Sequence, residues 1–106
     1  MNLRILASAK RDLQDGYRFY EAQESGVGDY FLASVAADID SLRLFAGIHP
    51  VVYKSFHRSL CRSFPFAIYY LKSGDTVTIH GVVDCRRDPS WIYQHLQESR
   101  RGNPTK

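Results

Sequence analysis

Residues 62–83 read RSFPFAIYYLKSGDTVTIHGVV. Phe66–Leu71 is a run of aromatic and aliphatic residues suited to a central strand. Lys72-Ser73-Gly74-Asp75 breaks the run, and Gly74 can take the positive φ that a hairpin turn requires. Val77–Val83 then returns apolar residues, so the stretch predicts two antiparallel strands joined by a tight turn.

Upstream, Phe56, Arg58, Leu60, Arg62 and Phe64 alternate with His57, Ser59, Cys61 and Ser63, which predicts a strand over 56–64. Val51–Lys54 is a shorter extended piece. Before Pro50 the apolar period changes from 2 to near 3.6. Phe31, Val35, Ile39, Leu42 and Phe45 form one helical stripe, and Ala9, Leu13, Tyr17 and Tyr20 form another. Gly26 and Gly28 separate them, so residues 8–25 and about 28–47 are expected as an antiparallel helical pair. Ser8 is the expected N-cap of the first helix, and Asn2–Leu6 a short leading strand. Downstream, Asp88 can cap and Pro89 can open a short helix carrying Trp91, Ile92, His95 and Leu96. Residues 1–99 then form a single domain, and 100–106 a frayed basic tail. The order β-α-α-β-β-β-β-α predicts an α+β fold. Its N-terminal strand and antiparallel helical hairpin precede a mainly antiparallel sheet of about four further strands and the C-terminal helix.

The bulk properties agree with one ordinary core. The chain has 106 residues, 44% hydrophobic and 24% charged, with seven Tyr, six Phe and one Trp. No apolar run is long enough to span a membrane, and the N-terminal apolar stretch is too short for a signal peptide. Cys61 and Cys85 have no metal-ligand spacing and are expected as buried free thiols in the cytoplasm. The net charge of +3 is unevenly spread, about −2 over residues 1–53 and +5 over 54–106. A basic C-terminal half suits nucleic acid or an acidic protein partner, although scattered cations also simply aid solubility.

Three stretches carry a family resemblance. DLQDGYRFYEAQESGVGDYFLASV covers the helical pair at 12–35, RSFPFAIYYLKSGDTVTIHGVV the central hairpin, and CRRDPSW its end at 85–91. In this order and at this length the chain resembles the RelE/ParE superfamily of type II toxin–antitoxin toxins, often described as plasmid stabilisation proteins. The resemblance spans Asn2 to about Leu96. It implies a growth-inhibiting toxin neutralised by a cognate antitoxin protein. Its target would be DNA gyrase, as for ParE-like members, or mRNA on the ribosome, as for RelE-like endonucleases. A third possibility is an inactive relative that only sequesters antitoxin. One fold hosts all of these, so the site must discriminate.

Cutting RNA without metal requires a base near the 2′-OH, an acid for the leaving oxygen, and cations for the developing charge. By resemblance, Arg87 matches a catalytic arginine and Tyr93 an acid/base tyrosine. Ala67 stands where a strand arginine is expected, and Asp84 where many relatives carry a histidine. Those two departures favour the gyrase reading. Arg58, Arg62, Arg86 and Arg87 are the candidate target-binding cations, and Arg58 and Arg62 are the pair that could compensate in a nuclease. The bland alternatives are a local ion pair within Arg86-Arg87-Asp88 and apolar surface covered by the stems of Arg58 and Arg62, which share the face of Leu60. His80 reads as structural. His49, His57 and His95 have neither metal-ligand spacing nor a matched acid, and neither a metal nor a cofactor is expected.

Overall fold

A computed structural model describes residues 1–102 of the chain. Five strands and three helices follow in the order β1 (Asn2–Ile5), α1 (Ala7–Gln23), α2 (Val27–Phe45), β2 (Val51–Tyr53), β3 (Phe56–Leu60), β4 (Phe66–Ser73), β5 (Thr76–Asp84) and α3 (Pro89–Gly102). The five strands form one mixed sheet in the order β1-β5-β4-β3-β2. Only β1 with β5 is parallel; the other three pairs are antiparallel. The predicted α+β architecture and the central β4–β5 hairpin are therefore present. Gly74 turns that hairpin at φ +59°.

The helical pair forms because Gly26 adopts φ +95°, a left-handed conformation that a side chain would disfavour. Glu21 fixes the turn from the other side. Its carboxylate accepts the Gly26 and Gly28 N–H groups at 3.1 and 3.0 Å, meeting unsatisfied donors at the start of α2. The hairpin packs on one face of the sheet. Phe31, Val35, Ile39 and Leu42 meet Phe66, Ile68, Tyr70, Val77, Ile79 and Val82 there. Tyr70 is fully buried, and its hydroxyl accepts the Gly47 N–H at 2.8 Å and bonds the His49 ring at 2.7 Å. That contact ties the end of α2 to the sheet.

The opposite face carries α3. Ile92 and Leu96 pack on Phe56, Ala67, Tyr69 and Val83. A bulge decides which side chains reach this face. Tyr69 pairs with Gly81 but Tyr70 pairs with Ile79, so His80 is an extra residue in β5. Its ring is buried and bonds the Ser99 hydroxyl of α3 at 2.8 Å. His80 is thus structural, as the sequence implied.

Several local expectations are corrected. Ser8 does not cap α1. It lies inside the helix, and its hydroxyl donates to the His80 carbonyl at 2.8 Å on the edge of β5. β3 stops at Leu60 and does not continue to Phe64, because the chain turns back at Cys61–Pro65 into β4, with the Arg62 N–H bonded to Asp38 of α2. Cys85 is exposed, not buried, because it follows the last residue of β5. Finally, α3 runs to Gly102, so Arg100 and Arg101, expected at the start of the basic tail, lie in its last turn. The rest of that expected tail, 103–106, lies outside the described residues.

Candidate functional site

The arginines singled out from the sequence do not gather in one place. Arg58 projects from β3 toward the α3 side of the sheet. Its Nε is buried with no partner among the described residues, and its charge lies against Tyr69. Burial raises the Tyr69 pKa, and Arg58 offsets part of that rise. Tyr93 reaches the same region from α3. It stacks on Tyr53 with centroids 4.3 Å apart and planes at 7°. Ala67 is wholly buried in this layer, among Phe56, Tyr69 and Val83.

Arg62 goes elsewhere. Because β3 has ended, its backbone N–H donates to Asp38 Oδ2 at 3.2 Å, and its Nε lies 3.6 Å from Asp38 Oδ1 on α2. The side chain is 84% exposed. The face expected to hold Arg58, Leu60 and Arg62 together is therefore not formed. Cys61 borders the same carboxylate, and burial, followed by Asp38, pushes its thiol up to about 12, which leaves it unreactive.

Arg86 does not pair with Asp88. It grips Asp84 in a fork, Nε to Oδ1 at 2.9 Å and Nη2 to Oδ2 at 2.6 Å, while its backbone N–H meets Oδ1 at 2.8 Å. That hydrogen bonding holds the Asp84 carboxyl below its usual range, although burial opposes it. Arg87 takes a different course. Its guanidinium sits 4.0 Å from the centre of the Trp91 ring. Trp91 in turn stacks on His95 at 4.8 Å and 12°. Residues 87, 91 and 95 recur at four-residue spacing, which places them in one row on the α3 side of the turn.

This row ends on a pairing that the sequence reading missed. His95 Nε2 bonds Asp12 Oδ1 at 2.9 Å, so His95 does have a matched acid, 83 residues away on α1. The other Asp12 oxygen accepts the Val82 N–H of β5 at 3.0 Å. The Asp12 side chain is 8% exposed and the His95 side chain 22%. Its hydrogen bond to Asp12 raises the His95 pKa, against the effect of burial. No local signal marks such a pair. Only the packing of α1 and α3 across the end of β5 brings it together.

The row and the pair line a cleft of about 440 Å³ between α1 and α3. Val82, Val83 and Asp84 form its floor, Asp15, Gly16 and Phe19 one wall, and Arg87, Trp91 and His95 the other. The candidate residues thus occupy separate places: Arg87 in the cleft, Arg86 on Asp84, Arg58 with Tyr93 on the α3 face, and Arg62 beside α2. Arg87 and Tyr93 are six residues apart on or beside one helix yet contact opposite neighbours, Trp91 and Tyr53. Among the described residues there is no group of three His, Cys, Asp or Glu able to hold a metal, and no helix is long and apolar enough to cross a membrane.

No family model matches the chain, and no curated protein matches it either. A search of solved structures finds a chain of the structure described as "Chromosomal ParDE TA system from P. aeruginosa". It superposes with a TM-score of 0.73 at 16% identity, over 79% of this chain and 95% of that one. At that identity the likeness is one of fold. The resemblance drawn from sequence is matched in three dimensions, and the chain has a ParE-like α+β fold.

Proposed function

We propose that this chain is the toxin of a type II toxin–antitoxin pair, acting in the cytoplasm and silenced by a cognate antitoxin protein. The observation that carries the reading is the ParE-like fold, shared with a chain of a toxin–antitoxin assembly. Co-expression with the small gene expected beside it, followed by pull-down, tests the partner. The antitoxin should co-purify and raise the melting temperature, since whatever binds only the folded state stabilises it.

For the target we propose DNA gyrase. Two features support this over RNA cleavage. Ala67 is fully enclosed by Phe56, Tyr69 and Val83, so the layer has no cation at that position. Arg87 lines the α1–α3 cleft while Tyr93 stacks on Tyr53, and these different neighbours argue against a shared role at one reacting phosphate. Losing one charge-stabilising donor commonly costs ~10²–10³ in rate, so two departures should nearly abolish cleavage. Expression without antitoxin should arrest growth with filamentation and leave mRNA intact. The double change Arg86→Ala and Arg87→Ala should remove toxicity without unfolding the chain, because both side chains are exposed.

A ribosome-dependent mRNA endonuclease is the second reading, favoured by one observation. Arg58, with its unpartnered Nε, shares the α3 face with Tyr69 and Tyr93. Gyrase supercoiling assayed beside mapping of mRNA 5′ ends on translating ribosomes separates the two. Codon-positioned cuts with supercoiling unaffected would replace the first reading by the second.

A further inference from the structure

β5 is longer than the strand beside it. β1 covers its outer edge only from Thr76 to Ile79, whereas β5 continues to Asp84. Beyond Ile79 that edge is the floor of the α1–α3 cleft. The ladder with β4 fixes which backbone groups point outward. Cys85 N–H donates inward to the Pro65 carbonyl at 2.8 Å, and the register continues as Asp84 with Phe66, Val83 with Ala67, and Val82 with Ile68. Alternation then turns Val83 toward β4 and turns Val82 and Asp84 outward. The Val82 N–H already meets Asp12, and the Asp84 carbonyl accepts the Arg87 N–H at 3.2 Å. Two outward groups remain without a partner among the described residues: the Val82 carbonyl and the Asp84 N–H.

That remainder is selective. An antiparallel neighbour uses the N–H and C=O of one residue, and each residue here has one of the two occupied. A parallel neighbour uses the C=O of one residue and the N–H of the residue two further on, bonding both through a single residue opposite Val83. The free groups have that parallel arrangement, and β1 is already parallel on the same edge.

Charge selects the rest of the occupant. Among the carboxylates of the cleft, Asp12 is matched by His95, Asp15 by Arg18 and Asp84 by Arg86. Arg87 stacks on Trp91 and has no carboxylate partner among the described residues. Phe19, 55% exposed, and Trp91 offer aromatic walls on either side. We propose that the cleft receives a short extended acidic segment of a partner protein, added parallel to β5, with one carboxylate on Arg87 and an apolar side chain between Phe19 and Trp91. This rests on the antitoxin reading above and assigns the antitoxin's docking edge.

The test uses the complex co-purified from co-expression. Amide exchange resolved at single residues should show the Asp84 N–H slowed by about tenfold or more on complex formation, as for a newly formed ladder bond. Phe19→Asp should weaken the complex about tenfold or more while the free variant melts as the parent does, since an acidic segment would meet a like charge in place of an aromatic anchor. A complex that forms with Asp84 exchange unchanged and Phe19→Asp without effect overturns the edge assignment and leaves the antitoxin reading intact. Absence of any complex overturns both. Protection of Asp84 in the free protein that grows with concentration would assign the edge to a second copy of the chain and likewise overturn the proposal.

Discussion

The two faces of the sheet are held by different means. The hairpin face is an apolar layer in which α2 buries Phe31, Val35, Ile39 and Leu42, and α1 buries Ala9, against six sheet residues. The α3 face buries only Ile92 and Leu96 from its helix, and polar contacts do the rest: His95 with Asp12, and His80 with Ser99. Apolar burial is non-directional and does not itself titrate, whereas a charge-assisted bond depends on both orientation and pH. Of the candidate groups, Arg58, Arg87 and Tyr93 lie on or beside the polar-latched face, whereas Arg62 sits beside Asp38 of α2 and Arg86 near Tyr20 of the hairpin face. The two layers are thus built from different interactions.

The hairpin layer depends most on Phe31. Its ring is fully buried against Phe66 and Phe64, and the space at Gly16 is shaped to it, a Cβ there lying 2.5 Å from the ring tip. Phe31→Ala should cost about 3–5 kcal/mol, read from urea unfolding midpoints. Leu96→Ala, on the α3 side, should cost less, about 2–3 kcal/mol, because a terminal helix can settle into the gap. Equal losses would mean that the two layers are equally rigid.

Asp12→Asn sharpens the contrast. The amide can still accept the Val82 N–H, but it loses the charged partner of His95, for an expected cost of about 1–2 kcal/mol. The loss should appear as faster amide exchange in α3, with α2 unaffected.

The α3 face should contribute a pH dependence with two limbs of opposite sign. His95 has a raised pKa, so its contribution is complete below the ordinary imidazole value of 6.5 and is lost as pH rises through the raised value. His80 is pushed down to about 4, by burial first and Arg100 second. Its contribution is complete above 6.5 and falls away as pH drops toward 4, because the unfolded chain then binds the proton that the folded chain refuses. Unfolding midpoints followed from about pH 4 to about pH 9 should therefore pass through a maximum. His95→Gln should flatten the alkaline limb and leave the acid limb in place.

The smallest effect is expected at Arg86→Ala. The fork to Asp84 is short, but it is local and solvent-exposed, so the melting temperature should stay within error of the parent. A clear drop would mean that Arg86 also supports the hairpin face near Tyr20, where its charge is felt.

What could be read from the sequence was what is periodic or punctuated within a few residues. The β4–β5 hairpin followed from Gly74 between two apolar runs, the helical pair from two 3.6-period stripes parted by Gly26, and α3 from Asp88-Pro89. Element order and α+β class needed nothing more. Contacts between distant segments carry no such periodicity. The parallel β1–β5 pairing, the His80 bulge that turns β5, and the departure of Arg62 toward Asp38 follow from how the layers meet. The Asp12–His95 pair is the clearest case: each residue is unremarked in its own helix, and 83 positions separate them. Folding brings them to one strand edge because α1 and α3 must both close on the end of β5 that β1 leaves uncovered.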